Sequence, residues 1–239
     1  MNPRAPLYAF QTWASQPPPA LDWQIEPLWA QGDRVVLYGE FGSFKSWVCL
    51  HVGIHLAQGI PWLGLPVPKP RAVLYLDEEM NPNTTHRRLW RLAKGLQLDT
   101  HDLPFHVLSR AGFMVTPHGV DQLLALLKSQ QRLPEIIFIE TLTRVLDGNE
   151  NLAADMARFW NRVNALLAHG MTVVLIHHMT KPPFDGHRRI RDRARGSSEI
   201  LAGPDVALAL EIVTEGQRSK LSGVKTRDAP LPRHLTLQL

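Results

Sequence analysis

Short apolar segments alternate with amphipathic segments along most of the chain, and each kind predicts one type of element. Continuous apolar runs are typical of strands covered on both faces of a sheet, and they occupy residues 34–38, 72–76, 105–108, 135–140 and 171–177. Segments with helical spacing of apolar residues occupy 47–60, 82–95, 120–133 and 151–169. Alternation near the C-terminus, over 205–213, 221–226 and 234–239, is typical of antiparallel strands. The pattern predicts an α/β fold with a mostly parallel sheet flanked by helices and antiparallel C-terminal strands.

The N-terminal residues lie outside this alternation. Residues 7–15 are long enough for a short helix, which the prolines at 17–19 would end because proline lacks an amide hydrogen. Residues 22–29 then lead towards the first strand. We expect an N-terminal arm over residues 1–30, packed on the core or on a neighbouring subunit, and a single domain over residues 31–239.

Composition excludes several classes of protein. Hydrophobic residues make up 44% of the chain and charged residues 20%, which is ordinary for a globular domain. No apolar stretch is long enough for a transmembrane helix, and the N-terminus does not resemble a secretory signal. The single cysteine, Cys49, excludes a disulfide within the chain and fits the reducing cytoplasm, where we expect this protein. The net charge of +4 is weak support for a polyanionic partner.

The segment between the first strand and the first long helix has the pattern of a phosphate-binding loop. A loop in this position presents backbone amides and the positive end of the helix to phosphates. In the Walker A pattern a lysine binds the β- and γ-phosphates and the next hydroxyl binds Mg²⁺. Lys45 and Ser46 have these positions, so we expect ATP and Mg²⁺ as cofactors. The expected nucleotide-binding residues are Gly39, Glu40, Phe41, Gly42, Ser43, Phe44, Lys45, Ser46 and Trp47.

Phe44 departs from the pattern, which has glycine immediately before the lysine. We expect a side chain here to be tolerated only if the backbone angles are ordinary and the ring points away from the nucleotide. The alternative for the whole loop is a simple turn of glycine and serine with Lys45 exposed.

Carboxylates follow two of the predicted buried strands. Asp77, Glu78 and Glu79 follow the second, and Glu140 ends the fourth. Parallel strands end at a common edge, so both sets are expected to face Lys45. Glu140 is the candidate metal ligand, although aspartate is usual there, and Glu79 is the candidate general base, with Glu78 as the alternative because the register is open. These acids could instead only stabilise the start of the next helix.

Two histidines and several cations complete the candidate residues. His177 and His178 point to opposite faces of a strand, so we expect one at the γ-phosphate and the other in the core. An arginine-rich loop over 184–198 could contact nucleic-acid phosphates, or it could be a solvated loop without a partner. The arginines of the 82–95 helix are expected on a solvated face. A cation from the hairpin near 225–227 could act across a subunit boundary, although composition alone favours an ordinary surface.

Together these motifs resemble the RecA-like hexameric ATPases, and most closely the RepA-type plasmid replicative DNA helicases. The resemblance runs over nearly the whole chain, and the combination of the paired histidines with the Arg-Gly-Ser-Ser motif is more specific than the phosphate loop. The motifs occur in the order that this family shows: Pro17–Asp22, Gly42–Ser46, Tyr75–Glu79, Thr84–Leu89, Glu140–Arg144, His177–His178 and Arg195–Ser198.

The resemblance implies a RecA-like P-loop ATPase domain that assembles into a hexameric ring. It implies an ATP-dependent motor that translocates on single-stranded DNA and hydrolyses ATP at subunit interfaces. It gives Glu79 the role of general base, Glu140 that of the metal ligand and His178 that of the γ-phosphate sensor. It also implies that Arg195, or the pair Lys225 and Arg227, reaches the nucleotide of a neighbouring subunit.

Loops of such rings line a central channel, which implies a set of residues facing DNA. The alternative function is a RecA-like regulatory or recombination-accessory ATPase that binds DNA without unwinding it. A third is a nucleotide-binding scaffold with negligible turnover. The residues implied to face DNA are Arg144, Lys181, Arg188, Arg189, Arg191 and Arg193.

Overall fold

The computed structural model describes residues 8–180, 189–228, 230 and 234–238, and it describes Arg191 only through its backbone. The strands are β1 (Trp23–Ile25), β2 (Trp29–Ala30), β3 (Arg34–Gly39), β4 (Val73–Asp77), β5 (Phe105–Ser109), β6 (Ile136–Glu140), β7 (Thr172–His178), β8 (Val206–Thr214), β9 (Arg218–Lys225) and β10 (Leu235–Gln238). The helices are α1 (Phe10–Ala14), α2 (Lys45–Gln58), α3 (Pro82–Gly95), α4 (Pro117–Ser129), α5 (Leu142–Val145), α6 (Ala153–Leu167) and α7 (Glu199–Ala202), with a 3₁₀ turn at Ile190–Arg193. Among these elements, no helix combines the length and apolar character needed to cross a bilayer.

The main sheet has eight strands in the order β10-β9-β8-β3-β7-β6-β4-β5. The strands from β8 to β5 pair in parallel. Strands β9 and β10 are antiparallel to their neighbours and form the extension at one edge. This arrangement confirms the expected α/β fold. Strand β8 is parallel to β3 and antiparallel to β9, so it joins the two parts of the sheet.

Both layers of the core meet on β3, because successive strand residues face opposite sides of a sheet. Val36 and Tyr38 belong to an apolar cluster that contains residues of α4 and α6. Val35 and Leu37 belong to a second cluster, which contains residues of α2 and of the β1–β2 hairpin. All four side chains are buried, which explains why this strand is a continuous apolar run in the sequence.

Side-chain caps mark the starts of α3 and α4. Helix α3 spans the expected residues, and the Asn81 side chain accepts the N–H of Asn83 as its cap. Helix α4 begins three residues earlier than expected, at Pro117, because Thr116 accepts the N–H of Gly119 and proline suits the first helical position. Helix α2 begins at Lys45, two residues earlier than expected.

The second half of the expected N-terminal arm packs on the core. Residues 23–30 form a two-stranded antiparallel hairpin that contributes to the second core cluster. The Arg71 guanidinium is fully buried and holds this hairpin through ion pairs with Asp22 and Glu135. Helix α1 buries none of its residues in this chain, and its packing on a neighbouring subunit stays a prediction.

Candidate functional site

Four neighbouring parallel strands end at one edge of the sheet and form a cleft there. Strands β3, β7, β6 and β4 are consecutive, and their registers align Gly39 with His178 and Asp77 with Glu140. Ligands of parallel α/β sheets bind at this carboxyl edge. The cleft has a volume of about 310 Å³, and its lining residues are Phe41, Gly42, Phe44, Lys45, Ser46, Trp47, Glu79, Met80, Arg88, Glu140 and His178.

Lys45 is buried at the start of α2 and is only 7% exposed. Its ammonium group donates hydrogen bonds to the carbonyl oxygens of Gly39, at 3.0 Å, and Glu40, at 2.7 Å. Burial lowers the pKa of Lys45, while the nearby carboxylate of Glu140 acts in the opposite direction. The alternative with an exposed lysine in a simple turn is therefore wrong. A phosphate in the cleft would compete with the two carbonyl groups for this cation.

Phe44 adopts a left-handed backbone conformation, with φ of 67° and ψ of 21°. The expectation of ordinary backbone angles at this position is therefore wrong. The ring is half-buried and lines the cleft. The junction between the loop and α2 requires the left-handed region, which glycine enters freely and other L-residues enter at a cost of about 1–2 kcal/mol. The Phe44 carbonyl nevertheless accepts the N–H of Val48 at 2.9 Å, so the first turn of the helix is formed.

Ser46 and Glu140 meet in the cleft, as a shared metal site requires. The Ser46 hydroxyl donates to Oε1 of Glu140, and the Tyr75 hydroxyl donates to Oε2. Burial raises the pKa of Glu140 to about 7, although both hydrogen bonds favour its charged form. A hydroxyl beside a carboxylate fits Mg²⁺, which takes oxygen ligands and usually binds through one or two carboxylates plus substrate phosphates. The described residues contain no cluster of three or more His, Cys, Asp or Glu side chains that could hold a metal without such a substrate.

Asp77 has a structural role at the end of β4. Its carboxylate accepts the N–H groups of Glu79, at 3.0 Å, and Met80, at 2.8 Å. It also accepts the hydroxyl of Thr85, which lies in the first turn of α3. These three bonds satisfy a fully buried carboxylate, so the interpretation of Asp77 as a group that organises the helix start agrees with the structure.

Glu78 and Glu79 point to different surroundings. The Glu78 carboxylate accepts three backbone N–H groups, those of Ala111, Gly112 and Phe113. Glu79 lines the cleft, and its Oε2 is buried without a hydrogen-bond partner among the described residues. A carboxylate with free acceptor capacity in a cleft is able to orient or deprotonate a water molecule, whereas Glu78 already uses both of its oxygens.

The two histidines differ as the alternation of a strand requires. His177 is fully buried, its Nε2 lies 2.6 Å from the carbonyl oxygen of Arg195, and burial lowers its pKa to about 4. His178 is half-buried in the cleft, and its Nε2 lies 4.0 Å from Oε1 of Glu79. Burial and the nearby Lys45 lower the pKa of His178. Of the two rings, only that of His178 can meet a ligand bound in the cleft.

Arg88 lines the cleft, so the expectation that it lies on a solvated helix face is wrong. Its guanidinium lies 5.4 Å from the ring centroid of Trp47 in a cation–π contact, and both side chains line the cleft. The spacing of Arg88 from Thr85 is the sequence signal that could have predicted its position at the cleft. Residues three apart share a helix face, and the Thr85 hydroxyl is directed towards the end of β4.

The cations expected to act across a subunit boundary lie outside this cleft. The Lys225 ammonium donates to three carbonyl oxygens at the end of α7, and Arg227 forms an ion pair with Asp205 at 3.0 Å. Lys225 is paired with Ala207, near the start of β8, so both cations lie towards the amino edge of the parallel strands. Arg195 lies at the carboxyl edge, with its Nε 2.6 Å from Oε1 of Glu150.

One residue expected to face DNA is buried instead. Arg193 forms ion pairs with Glu40 and Glu211 and is only 6% exposed. The expectation of a DNA contact is wrong for Arg193, because its charge is already compensated inside the protein. Arg144 and Arg189 are exposed. Lys181, Arg188 and the side chain of Arg191 lie outside the described residues.

The buried Lys45 is the first residue of α2, which follows β3 and its loop. In P-loop proteins a lysine at this position binds the β- and γ-phosphates. The fold and this cleft define a P-loop nucleotide-binding protein with a RecA-like core. Residues 4–183 match the sequence profile of the AAA domain family, which is more than half of the 239 residues. The chain therefore belongs to this family of P-loop ATPases.

Proposed function

We propose that this chain is a Mg²⁺- and ATP-dependent motor, a hexameric replicative DNA helicase that translocates on single-stranded DNA. The observation that carries the proposal is the position of Glu79, whose unpartnered carboxyl oxygen lies in the cleft that also contains Lys45 and His178. A protein that only binds nucleotide does not need a free carboxylate there. Such a group is what hydrolysis of the terminal phosphate requires.

Each cleft residue has a part in the proposed hydrolysis. The ammonium of Lys45 binds the β- and γ-phosphates once it leaves its two carbonyl partners. Ser46 and Glu140 would hold Mg²⁺, which would neutralise charge on the phosphates. Glu79 orients and deprotonates the attacking water, and His178 contacts the γ-phosphate and reports its presence to the segment after β7. Arg88 gives the cleft a second cation.

The arrangement of cations supports assembly into a ring. Hydrolysis of this kind is accelerated by an arginine placed at the γ-phosphate. Neither Arg195 nor Arg227 lines the cleft of its own chain, and more than half of each side chain is exposed. A second copy of the chain can bring such a cation to the cleft. We therefore place ATP hydrolysis at subunit interfaces.

The proposed DNA contact rests on cations near the same edge of the sheet. Arg144 follows β6, and Arg189 precedes the 3₁₀ turn that returns to the end of β7. Both are exposed and able to contact phosphates of a single strand. Burial of Arg193 leaves one contact fewer than expected. The second candidate function is an accessory ATPase that binds DNA without unwinding it. A cytoplasmic location accompanies both functions.

The test compares hydrolysis, unwinding and assembly in one preparation. We expect the protein with Mg²⁺-ATP to hydrolyse ATP faster when single-stranded DNA is added, and to displace a strand from a forked duplex. Imaging with a non-hydrolysable ATP analogue should show rings. The Glu79→Gln variant should bind nucleotide and DNA without either activity. DNA-stimulated hydrolysis without strand displacement would favour the accessory function, and a lack of saturable Mg²⁺-ATP binding would overturn both.

A further inference from the structure

Glu150 is a buried carboxylate in the segment between α5 and α6. It is 7% exposed, and neither carboxyl oxygen has a hydrogen-bond partner among the described residues. The Nε of Arg195 lies 2.6 Å from Oε1, which makes an ion pair without the alignment of a hydrogen bond. A buried carboxylate without hydrogen-bond partners carries a large free-energy cost, which the close Arg195 cation offsets, so this pairing is a specific feature of the fold.

The backbone around Arg195 is clamped onto the same residue. The N–H of Ser197 donates to the carbonyl oxygen of Glu150 at 2.8 Å. Gly196 has a φ of 98°, and a Cβ there would lie 2.7 Å from that carbonyl oxygen. Only glycine combines this backbone angle with such a close approach. The segment 195–197 is therefore fixed against Glu150 by its main chain as well as by its arginine.

Strand β7 holds Arg195 from the other side. The backbone N–H of Arg195 donates to the carbonyl oxygen of His178 at 3.2 Å, and the carbonyl oxygen of Arg195 lies 2.6 Å from Nε2 of His177. The side chain is nevertheless 55% exposed and does not line the nucleotide cleft of its own chain. An arginine with a fixed backbone, a paired Nε and an exposed end is able to bind an anion that lies outside its own chain.

We propose that Glu150 is a positioning residue, which holds Arg195 ready to contact the phosphates of a nucleotide bound by a second copy of this chain. The inference rests on the proposed function, because it needs copies that share a nucleotide site. Anchoring reduces the rotamer freedom that an arginine loses when it binds phosphate and keeps the cation near its productive position. Glu150 itself touches neither the nucleotide nor the reacting atoms.

The first test separates turnover from nucleotide binding. Glu150→Gln keeps the size of the side chain and removes its charge. We expect kcat to fall about tenfold to a hundredfold, since a displacement near 1 Å has effects of that order. KM for ATP should stay unchanged because the cleft of each copy is intact. Asp147→Asn, which breaks an exposed ion pair with Arg162 in the same segment, is the control and should leave kcat within about twofold.

Mixed assemblies distinguish positioning from a structural role. In a mixture of Glu150→Gln and Glu79→Gln chains, some interfaces combine an intact Glu79 with an intact Glu150–Arg195 pair from the neighbour. We expect activity above the sum of the separate preparations. A structural role of Glu150 within its own chain would give no recovery, and this result would overturn the proposal.

Variants of Arg195 provide a third test. Glu150→Gln combined with Arg195→Ala should be no slower than Arg195→Ala alone, and multiplicative losses would overturn the proposal. If Glu150→Gln does not fold, Arg195→Lys replaces it, since lysine keeps the charge on an exposed side chain and lacks Nε. That variant should lose kcat and recover in the same mixture, and a wild-type kcat would refute the inference. No hydrolysis by the wild-type chain would instead refute the proposed function.

Discussion

Glu79 and His178 face each other across the cleft, with Oε1 of Glu79 4.0 Å from Nε2 of His178. Glu79 follows β4 and His178 is the last residue of β7, and these two strands are separated in the sheet by β6. The second carboxyl oxygen of Glu79 is buried without a partner among the described residues. Of the three acids at 77–79, only Glu79 has this access to the cleft, which makes it the candidate general base.

We expect Glu79→Gln to abolish most ATP turnover while nucleotide binding is retained. Loss of a general base costs about 10²–10⁴-fold in rate. Glu78→Gln is the matched control, because its carboxylate accepts three backbone N–H groups and does not line the cleft. That variant should lose about 1–3 kcal/mol in the free energy of unfolding and keep its turnover per folded molecule. The measurements are steady-state kinetics and urea unfolding. If Glu78 were the base, Glu78→Gln would lose turnover and Glu79→Gln would keep it.

Phe44 gives a prediction about stored backbone strain. Phe44→Ala and Phe44→Gly both remove the half-buried ring, and only alanine keeps the cost of the left-handed conformation at φ of 67°. We expect the glycine variant to be more stable than the alanine variant by about 1 kcal/mol, as measured by urea unfolding. At ordinary backbone angles the glycine variant would instead be the less stable of the two. That result would contradict a left-handed conformation at residue 44.

Most of the fold could be predicted from the sequence because its signals are local. Continuous apolar runs mark the buried strands, and Asn81 with Pro82 marks the start of α3. The expectation of a purely antiparallel strand over 205–213 is wrong on one side, because β8 pairs in parallel with β3. Residues 206–210 are all apolar and buried, as in the other parallel strands, whereas the residues that follow are partly exposed.

The candidate site was predictable where a motif fixes both the residue type and its place. Lys45, Ser46, Glu79 and Glu140 line one cleft because strand ends converge at the edge of a parallel sheet. The surroundings of Arg193 were not predictable, since its partners Glu40 and Glu211 are distant in sequence. An arginine run does not reveal which of its members is paired inside the protein.

Arg193 and Arg189 should separate stability from DNA binding. Arg193→Ala leaves Glu40 and Glu211 without their buried cation, and we expect it to cost about 3–5 kcal/mol of unfolding free energy. Arg189→Ala removes an exposed cation and should leave stability unchanged. If Arg189 contacts a phosphate, the negative slope of log affinity for single-stranded DNA against log salt should become shallower by about 0.7 in Arg189→Ala. A salt slope that changes with Arg193→Ala and not with Arg189→Ala would contradict these roles.

A histidine pair on α2 is arranged to remain neutral. The indole N–H of Trp62 can only donate, so Nδ1 of His51, 3.1 Å away, must accept. The proton of His51 is then on Nε2, which donates to Nε2 of His55 at 3.1 Å. His55 therefore carries its proton on Nδ1 and donates to the Pro61 carbonyl at 2.9 Å. An added proton on either ring would place two donors face to face.

This arrangement predicts a loss of stability in acid. Burial lowers the pKa of His51 to about 4, with a smaller effect from His55, whose own pKa burial also lowers. The unfolded chain then binds more protons between about pH 4 and pH 6.5, so the free energy of unfolding decreases as the pH falls. Allowing for partial exposure, we expect the pair to contribute about 1–2 kcal/mol of loss between pH 7 and pH 5. Urea unfolding at both values should show a smaller pH effect in the double variant His51→Gln/His55→Gln. His101→Gln, at an exposed histidine, is the control and should keep the wild-type difference, whereas equal pH effects in all three proteins would exclude the pair as its source.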